Sequence, residues 1–321
     1  MAEQLPLDAK DYAILKELDQ NFRQPFSAIG KTVQLSKNTV GLRYGRLKAY
    51  FLHNTTGINY QTLGYVMIKV YYSFDYFDAK IEQELIKTFQ KYPSMVYAAR
   101  FYGKYDLVIA LLVNSFTDFI VAVNAFNENF AKRIEHKEVQ IIDQECHLRH
   151  NFLYNNPLHK KYTVKRTEKT LVLTKTEKNI LRIIWHNPRI SLTDLALQTH
   201  LSLKTVRNKL NYLETNDVIM GYFLTLDLKT FGYSTFKLLI QVYIPADTKP
   251  FESYLTSHDH VKYIAKMLGE WDYEVDFVYK TINDLQEQIE NLRERFPEIV
   301  KTIKIISFGK RIVTNNAHFL L

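Results

Sequence analysis

The 321-residue chain carries one text twice. "YAARFYGKYD" at Tyr97–Asp106 returns as "YIAKMLGEWD" at Tyr263–Asp272, a shift of 166 positions. The same shift lays "FSAIGKTVQLSKNTVGLRYGRLKAYFL" from Phe26 over "LTDLALQTHLSLKTVRNKLNYLETNDV" from Leu192. It matches Leu35 with Leu201, Ser36 with Ser202, Thr39 with Thr205, Val40 with Val206 and Leu47 with Leu213. Upstream, "DYAILKEL" pairs with "EKNILRII", and "LGYVMIKVYYSF" pairs with "FGYSTFKLLIQVYI" after a two-residue adjustment. Self-similarity of this length, with elements in the same order, predicts two tandem units of one architecture.

The first part of each unit reads as helical. Ile14, Leu15 and Leu18, and likewise Ile180, Leu181 and Ile184, recur at helix spacing, and a second short helix follows through Ile29 and Val33 or Leu195 and Leu197. A third helix starts after Ser36 or Ser202, residues suited to accept a bond from an otherwise unpaired backbone N–H. Val40, Tyr44 and Leu47, like Val206, Leu210 and Leu213, form its buried stripe. Lys37, Asn38, Thr39, Arg43 and Arg46 in the first copy, and Lys204, Thr205, Arg207, Asn208, Lys209 and Asn211 in the second, supply donors on or beside the opposite face. Three short helices of this kind make a helix-turn-helix, and "DVIMGYFLTLD" reads as a turn into a β wing. Arg, Lys and Asn on an exposed helix suit base edges in the major groove of double-stranded DNA, with Lys31, Lys37 and Lys204 placed for phosphates.

The second part alternates strand and helix. "GYVMIKVYYSF", "MVYAARFY", "DLVIALLV" and "HKEVQIID" read as strands, and "DAKIEQELIKTF" and "FTDFIVAVNAF" as helices. The order βαββαβ is the ferredoxin-like plan. The expected fold class is α+β: two tandem units, each a winged helix-turn-helix followed by a ferredoxin-like domain. Expected boundaries are 1–60 and 61–150 for the first unit, 151–172 for a linker, and 173–228 and 229–321 for the second. The repeated phrase falls on the connection between the second and third strands, where glycine permits a tight turn and aspartate accepts turn amides.

Charge distribution supports a polyanionic partner. The formal net charge is +8, and the 22 residues from Asn151 to Val172 hold half of it, with five Lys or Arg against one Glu. A basic linker lying along DNA and a solvated tether both fit that composition. The longest apolar run, Leu107–Val113, is far short of the ~20 residues of a spanning helix, and the N-terminus lacks a signal-peptide pattern. The expectation is a cytoplasmic protein with no membrane partner, associated with the nucleoid when bound to DNA. One cysteine, Cys146, excludes an intrachain disulfide framework. "CHLRH" offers Cys146, His147 and His150, fewer than the four ligands of structural zinc, so no metal and no cofactor are expected.

The "LSxxTV" core with "RLK" or "YLE" further along the third helix, the "LGY" or "FGY" strand entry and the "G-x-x-D" hairpin resemble the Lrp/AsnC (feast/famine) family of transcription regulators. The resemblance covers nearly the whole chain, twice. It implies a DNA-binding regulator whose ferredoxin-like, or RAM-type, domains pair, either within one chain as a covalent pseudo-dimer or between chains as a homodimer or higher oligomer. It also implies an amino-acid-like effector near the hairpins, bordered by Gly103, Tyr105 and Asp106 and by Gly269, Trp271 and Asp272.

The first unit departs from that pattern. Where family members have a glycine at the junction of the third helix and the wing, the second unit has Asp217 but the first has Phe51, which suits a left-handed turn poorly. Gly41 and Gly45 lie inside the first recognition helix, each costing up to ~1 kcal/mol relative to Ala. The two DNA-reading heads are therefore expected to be unequal. A ligand sensor or assembly protein without DNA binding is the alternative reading. An enzyme resembling siroheme decarboxylases is a third, but their His-Asn-Tyr followed by Trp has no counterpart in "MVYAARFY" or "VKYIAKML", which contain no histidine.

Overall fold

The computed structural model describes residues 7–92, 94–155, 158, 160–167, 170–244 and 247–314. In chain order the elements are α1 (Ala9–Gln20), α2 (Phe26–Val33), α3 (Lys37–Leu47), β1 (Phe51–Ile58), β2 (Val66–Phe74), α4 (Ala79–Lys91), β3 (Met95–Tyr102), β4 (Leu107–Val113), α5 (Phe116–Phe130), β5 (Ile134–Leu148) and β6 (Lys161–Val164). The second copy continues with α6 (Lys175–His186), α7 (Leu192–Thr199), α8 (Leu203–Thr215), β7 (Ile219–Leu226), β8 (Ser234–Val242), α9 (Lys249–Ser257), β9 (Val261–Leu268), β10 (Tyr273–Tyr279), α10 (Ile282–Arg295) and β11 (Val300–Thr314). Among the described residues, no helix is long and apolar enough to cross a membrane.

Two compact units emerge, each drawing on both copies of the repeat. One takes the residues up to Ile58, Leu148–Tyr162 and Lys175–Gly232; the other takes Asn59–His147, Thr163–Thr174 and the chain from Tyr233 onward. The segments expected along the chain regroup by type, heads with heads and ferredoxin-like halves with each other. The stretch 151–172 is shared between them and contains β6, while its positions 156, 157, 159, 168 and 169 lie outside the described residues.

In the first unit the helices begin where their caps dictate. Asp8 and Asp11 cap α1 reciprocally, each backbone N–H donating to the other side chain. Ser36 and Ser202 accept from Thr39 N and Thr205 N at 3.0 and 3.1 Å and open α3 and α8 at equivalent places. Ile14, Leu15, Leu18, Ile29, Val40 and Leu47 are buried in one head, and Ile180, Leu181, Ile184, Leu195, Val206 and Leu213 in the other.

The wings differ from two self-contained hairpins. Each copy supplies one strand, and β1 pairs antiparallel with β7, from Phe51 opposite Leu226 to Ile58 opposite Ile219. Asp217 takes the left-handed turn (φ 55°) that leads α8 into β7. Phe51 takes no such turn: α3 runs on through a 3-10 turn at Lys48–Tyr50, and Phe51 enters β1 extended, at φ −95°. The chain solves the absent glycine by changing the route into the strand.

In the second unit, eight strands form a closed ring in the order β2-β4-β3-β11-β8-β10-β9-β5, with β5 returning to β2. The halves are joined twice, by β3 on β11 and by β9 on β5. Pairing of the two RAM-type halves thus occurs within one polypeptide. Alternation along β2 sorts its side chains: Ile68, Val70, Tyr72 and Phe74 pack with α4 and α5, while Tyr71 packs inward with Val108, Leu239, Ala265 and Trp271.

Candidate nucleic-acid interface

The third helix of each head presents a graded surface. Lys37, Asn38 and Arg46 on α3, and Lys204, Arg207, Asn208 and Asn211 on α8, are exposed. Thr39 and Thr205 are half-buried, and their hydroxyls meet those of Ser36 and Ser202 at 2.8 and 2.9 Å within the caps.

Arg43 and Lys209 are engaged elsewhere. The Arg43 guanidinium pairs with Asp8 at 2.7 Å and Asp11 at 2.8 Å, and Lys209 pairs with Glu177 at 2.8 Å. Asp11 and Glu177 stand 166 positions apart, as do Arg43 and Lys209, so one ion pair occurs in both heads. It ties the third helix to the first. Arg46 adds a longer contact to Asp11 at 3.4 Å.

The heads also hold each other. The Arg23 Nη1 donates to the Pro188 carbonyl at 2.6 Å, and the Arg189 Nη1 donates to the Phe22 carbonyl. Arg23 and Arg189 occupy equivalent positions of the repeat, as do Phe22 and Pro188. Sequence reasoning passed over these arginines, although their recurrence at the repeat shift was visible.

The residues implied to border an effector form the turns and the interior of the second unit. Gly103 and Gly269 have positive φ, 119° and 152°. The Asp106 carboxylate accepts from Phe74 N at 2.9 Å and that of Asp272 from Val242 N at 2.8 Å, fixing each hairpin to the first strand of its own half. Tyr105 and Trp271 are buried. The Trp271 Nε1 donates to the Tyr105 oxygen at 3.0 Å and lies 3.1 Å from Glu138 Oε2, which also receives the Tyr105 hydroxyl. Burial would raise the Glu138 carboxyl, but bonds from Lys104, Tyr105 and His136 outweigh it and hold it below its ordinary value. Tyr105 is pushed upward by burial and by that carboxylate.

A buried ionic network lies further inside the ring. Lys69 reaches Glu274 at 2.9 Å and Tyr263 at 3.0 Å; Lys237 contacts Glu274 and, at 2.5 Å, Asp276; Tyr71 also donates to Glu274. Tyr60 donates to Glu145 at 2.6 Å, and Tyr263 donates to the same carboxylate. Burial opposes the charge on Glu274, yet the ammonium groups of Lys237 and Lys69 bring its carboxyl down to about 2. The signal for this network was a lysine recurring within each apolar strand, "VMIKVYY" and "STFKLLI".

The donors of "CHLRH" disperse. Cys146 lies opposite Ile264 on β5, the His147 ring meets Tyr263 with centroids 5.1 Å apart, and His150 Nδ1 lies 3.0 Å from the buried Asp19. Among the described residues, no group of three or more His, Cys, Asp or Glu is arranged to hold a metal.

Comparison with known proteins matches residues 7–48 to the AsnC-type helix-turn-helix domain and residues 173–220 to a winged helix-turn-helix DNA-binding domain. An uncharacterized HTH-type transcriptional regulator of Pyrococcus abyssi is 22% identical over 121 residues, which is 38% of this chain and 82% of that protein. The crystal structure of the siroheme decarboxylase NirDL superposes with a TM-score of 0.64 at 13% identity, over 94% of this chain and 92% of NirDL, a likeness of fold. LrpC of Bacillus subtilis is 20% identical, covering 44% of this chain and 97% of its own, with a TM-score of 0.38. The chain thus carries an AsnC-type helix-turn-helix at residues 7–48 and a second, winged helix-turn-helix at 173–220, joined to two βαββαβ halves, and in these features it is similar to transcription regulators of the Lrp/AsnC family.

Proposed function

We propose that the protein is a sequence-specific transcription regulator that binds double-stranded DNA as a covalent pseudo-dimer. One observation carries this reading: both third helices keep an open face of Lys, Arg and Asn, while the bases closest to their own head, Arg43 and Lys209, are neutralised by acids. Lys37, Asn38, Arg46, Lys204, Arg207, Asn208 and Asn211 then contact DNA, with Thr39 and Thr205 at the helix N-termini. Arg43 and Lys209 set the pose of the helices. Affinity for the protein's own promoter region should fall steeply with salt, and Lys204→Ala with Arg207→Ala should lower both affinity and the steepness of that fall. Salt-independent binding, or binding unchanged in that variant, rejects the assignment.

An amino-acid-like effector at the hairpins forms part of the proposal in a narrower form. Tyr105 and Trp271 are engaged with each other and with Glu138, so an effector there would meet exposed Lys104, Glu270 and the glycine backbones rather than the two rings.

The enzymatic reading is favoured by one observation, the likeness of fold to NirDL along nearly the whole chain. Against it, β3 and β9 carry no histidine, and we propose that the chain is not an enzyme. Incubation with siroheme tests this directly: release of carbon dioxide would overturn it.

A further inference from the structure

We propose that Arg189 sets the separation of the two recognition helices and thereby the spacing between the two DNA half-sites that the protein accepts. The inference rests on the DNA-binding reading and adds a residue outside the DNA-facing surface.

The observation is an asymmetry in the contact between heads. Arg23 and Arg189 are repeat equivalents, and each donates to a backbone carbonyl of the opposite head, in the loop joining its first two helices. Beyond that they differ. Arg189 makes a further bond to the Gln24 carbonyl at 3.0 Å, and its guanidinium lies 4.4 Å from the Phe26 ring centre, 5.3 Å from Tyr44 and 5.5 Å from Phe22. These rings form one cluster: Phe26 and Tyr44 are 4.9 Å apart, and Phe51 meets Phe22 at 6.1 Å, edge-on, and Tyr44 at 5.9 Å.

Only the first head has this socket. The residues 166 positions after Phe22, Phe26, Tyr44 and Phe51 are Pro188, Leu192, Leu210 and Asp217, none aromatic. Arg23, the counterpart of Arg189, lies over Tyr222 instead, at 5.5 Å. Phe51, the departure from family pattern that set the first head apart, therefore belongs to a receptor for the second head. Stacking on several rings with two carbonyl acceptors defines both position and orientation of a planar guanidinium, which an ammonium does not reproduce.

Tyr44 lies on α3 itself, so the socket connects the second head directly to the first recognition helix. The β1–β7 ribbon joins the same two heads at another point. Two separate attachments remove the freedom of one head to swivel about the other, and a rigid pair of readers tolerates one spacing on the DNA helix.

The test uses the full chain in two arms. In the first, spin labels are attached at Asn38→Cys and Lys204→Cys in a Cys146→Ser background, and the distance distribution between them is measured without DNA. A narrow distribution that broadens or shifts in Arg23→Ala/Arg189→Ala supports the clasp; identical distributions overturn it. Arg189→Lys, which keeps the charge, should broaden it to an intermediate degree and serves if the double variant fails to fold. In the second arm, duplexes selected from a random-sequence pool are lengthened by about half a helical turn between the protected half-sites. The insertion should weaken binding of the parent chain about tenfold or more, and that of Arg189→Ala only roughly threefold. An equal penalty in both overturns the proposal. Failure of the parent chain to select any DNA rejects the regulator reading, a result distinct from either outcome of the label measurement.

Discussion

The Trp271 indole N–H donates to the Tyr105 hydroxyl oxygen at 3.0 Å, between residues that are 166 positions apart in sequence and equivalent in the repeat. Equivalent residues touch one another only beside the axis that relates the two copies, so this bond marks where the halves of the ring face each other. Tyr105→Phe removes the acceptor of Trp271 and a donor to Glu138 in a buried setting. The expected loss is about 1–3 kcal/mol, read as a lowered urea midpoint with Trp271 fluorescence as the probe in a Trp185→Phe background. An unchanged midpoint would show the contact to be incidental.

The halves are paired within one chain through β9 on β5, where Cys146 stands opposite Ile264. Directly opposed residues of antiparallel strands have Cβ atoms about 4.5–5.5 Å apart, within small adjustments of disulfide geometry. Ile264→Cys, oxidised, should give a disulfide whose species runs at monomer mass on a non-reducing gel. A disulfide-linked dimer would mean that the halves exchange between chains.

Glu274 supplies a pH dependence with a definite sign. Its folded carboxyl titrates at about 2 against an ordinary 4.5, so between those values the unfolded chain binds the proton more readily. The stabilisation is complete above 4.5 and disappears as the pH falls towards 2. Glu274→Gln leaves Lys69 without this carboxylate and should cost about 3–5 kcal/mol at neutral pH. Its urea midpoint should then decline less between pH 5 and 2 than that of the parent. Parallel declines would place the acid sensitivity elsewhere.

Arg43 and Lys209 read from sequence as DNA donors, and their acids offer a discriminating measurement. Asp11→Asn with Glu177→Gln frees both bases. If the ion pairs pose the third helices, DNA affinity should fall several-fold and the melting temperature of the heads should drop. A rise in affinity would instead mark Arg43 and Lys209 as direct readers held back by their acids.

Two glycines should respond in opposite directions to alanine. A Cβ on Gly45 would meet no atom within 4 Å, and the position is exposed on α3, so Gly45→Ala should stabilise by about 0.5–1 kcal/mol. At Gly269, φ is 152° and a Cβ would lie 2.7 Å from the Val139 carbonyl oxygen, so Gly269→Ala should destabilise the second unit. Thermal melts of both variants check this; a loss at Gly45 would mean that α3 needs its flexibility.

Local physics made much of this legible in the sequence. Ser36 and Ser202 cap the helices that their positions announced, and "GYVMIKVYYSF" forms the strand it reads as, with Val70 under the helices and Tyr71 inside. What sequence did not disclose depends on residues meeting across the repeat. Tyr105 and Trp271 read as borders of an effector site at the hairpins, yet both are interior, because burial at a twofold contact follows from the partner half and not from the local pattern. The wings read as two because strand propensity carries no information about which strand completes a pair. Phe51 read as an ill-suited turn residue, and only the fold shows its ring against Tyr44, over which Arg189 of the other head lies.

The closed ring holds two lysines, Lys69 and Lys237, at matching places on β2 and β8, that share the carboxylate of Glu274, with Asp276 also on Lys237; the counterparts of these acids in the first copy are Val108 and Ala110. In a ring made of two identical chains every residue occurs twice, and an acid on one side facing an apolar residue at the equivalent place cannot be written. Fusion of the copies lets a mutation enter the ring once. The interior of this protein thus uses a freedom that a pair of identical chains lacks: each side can differ without its counterpart differing too.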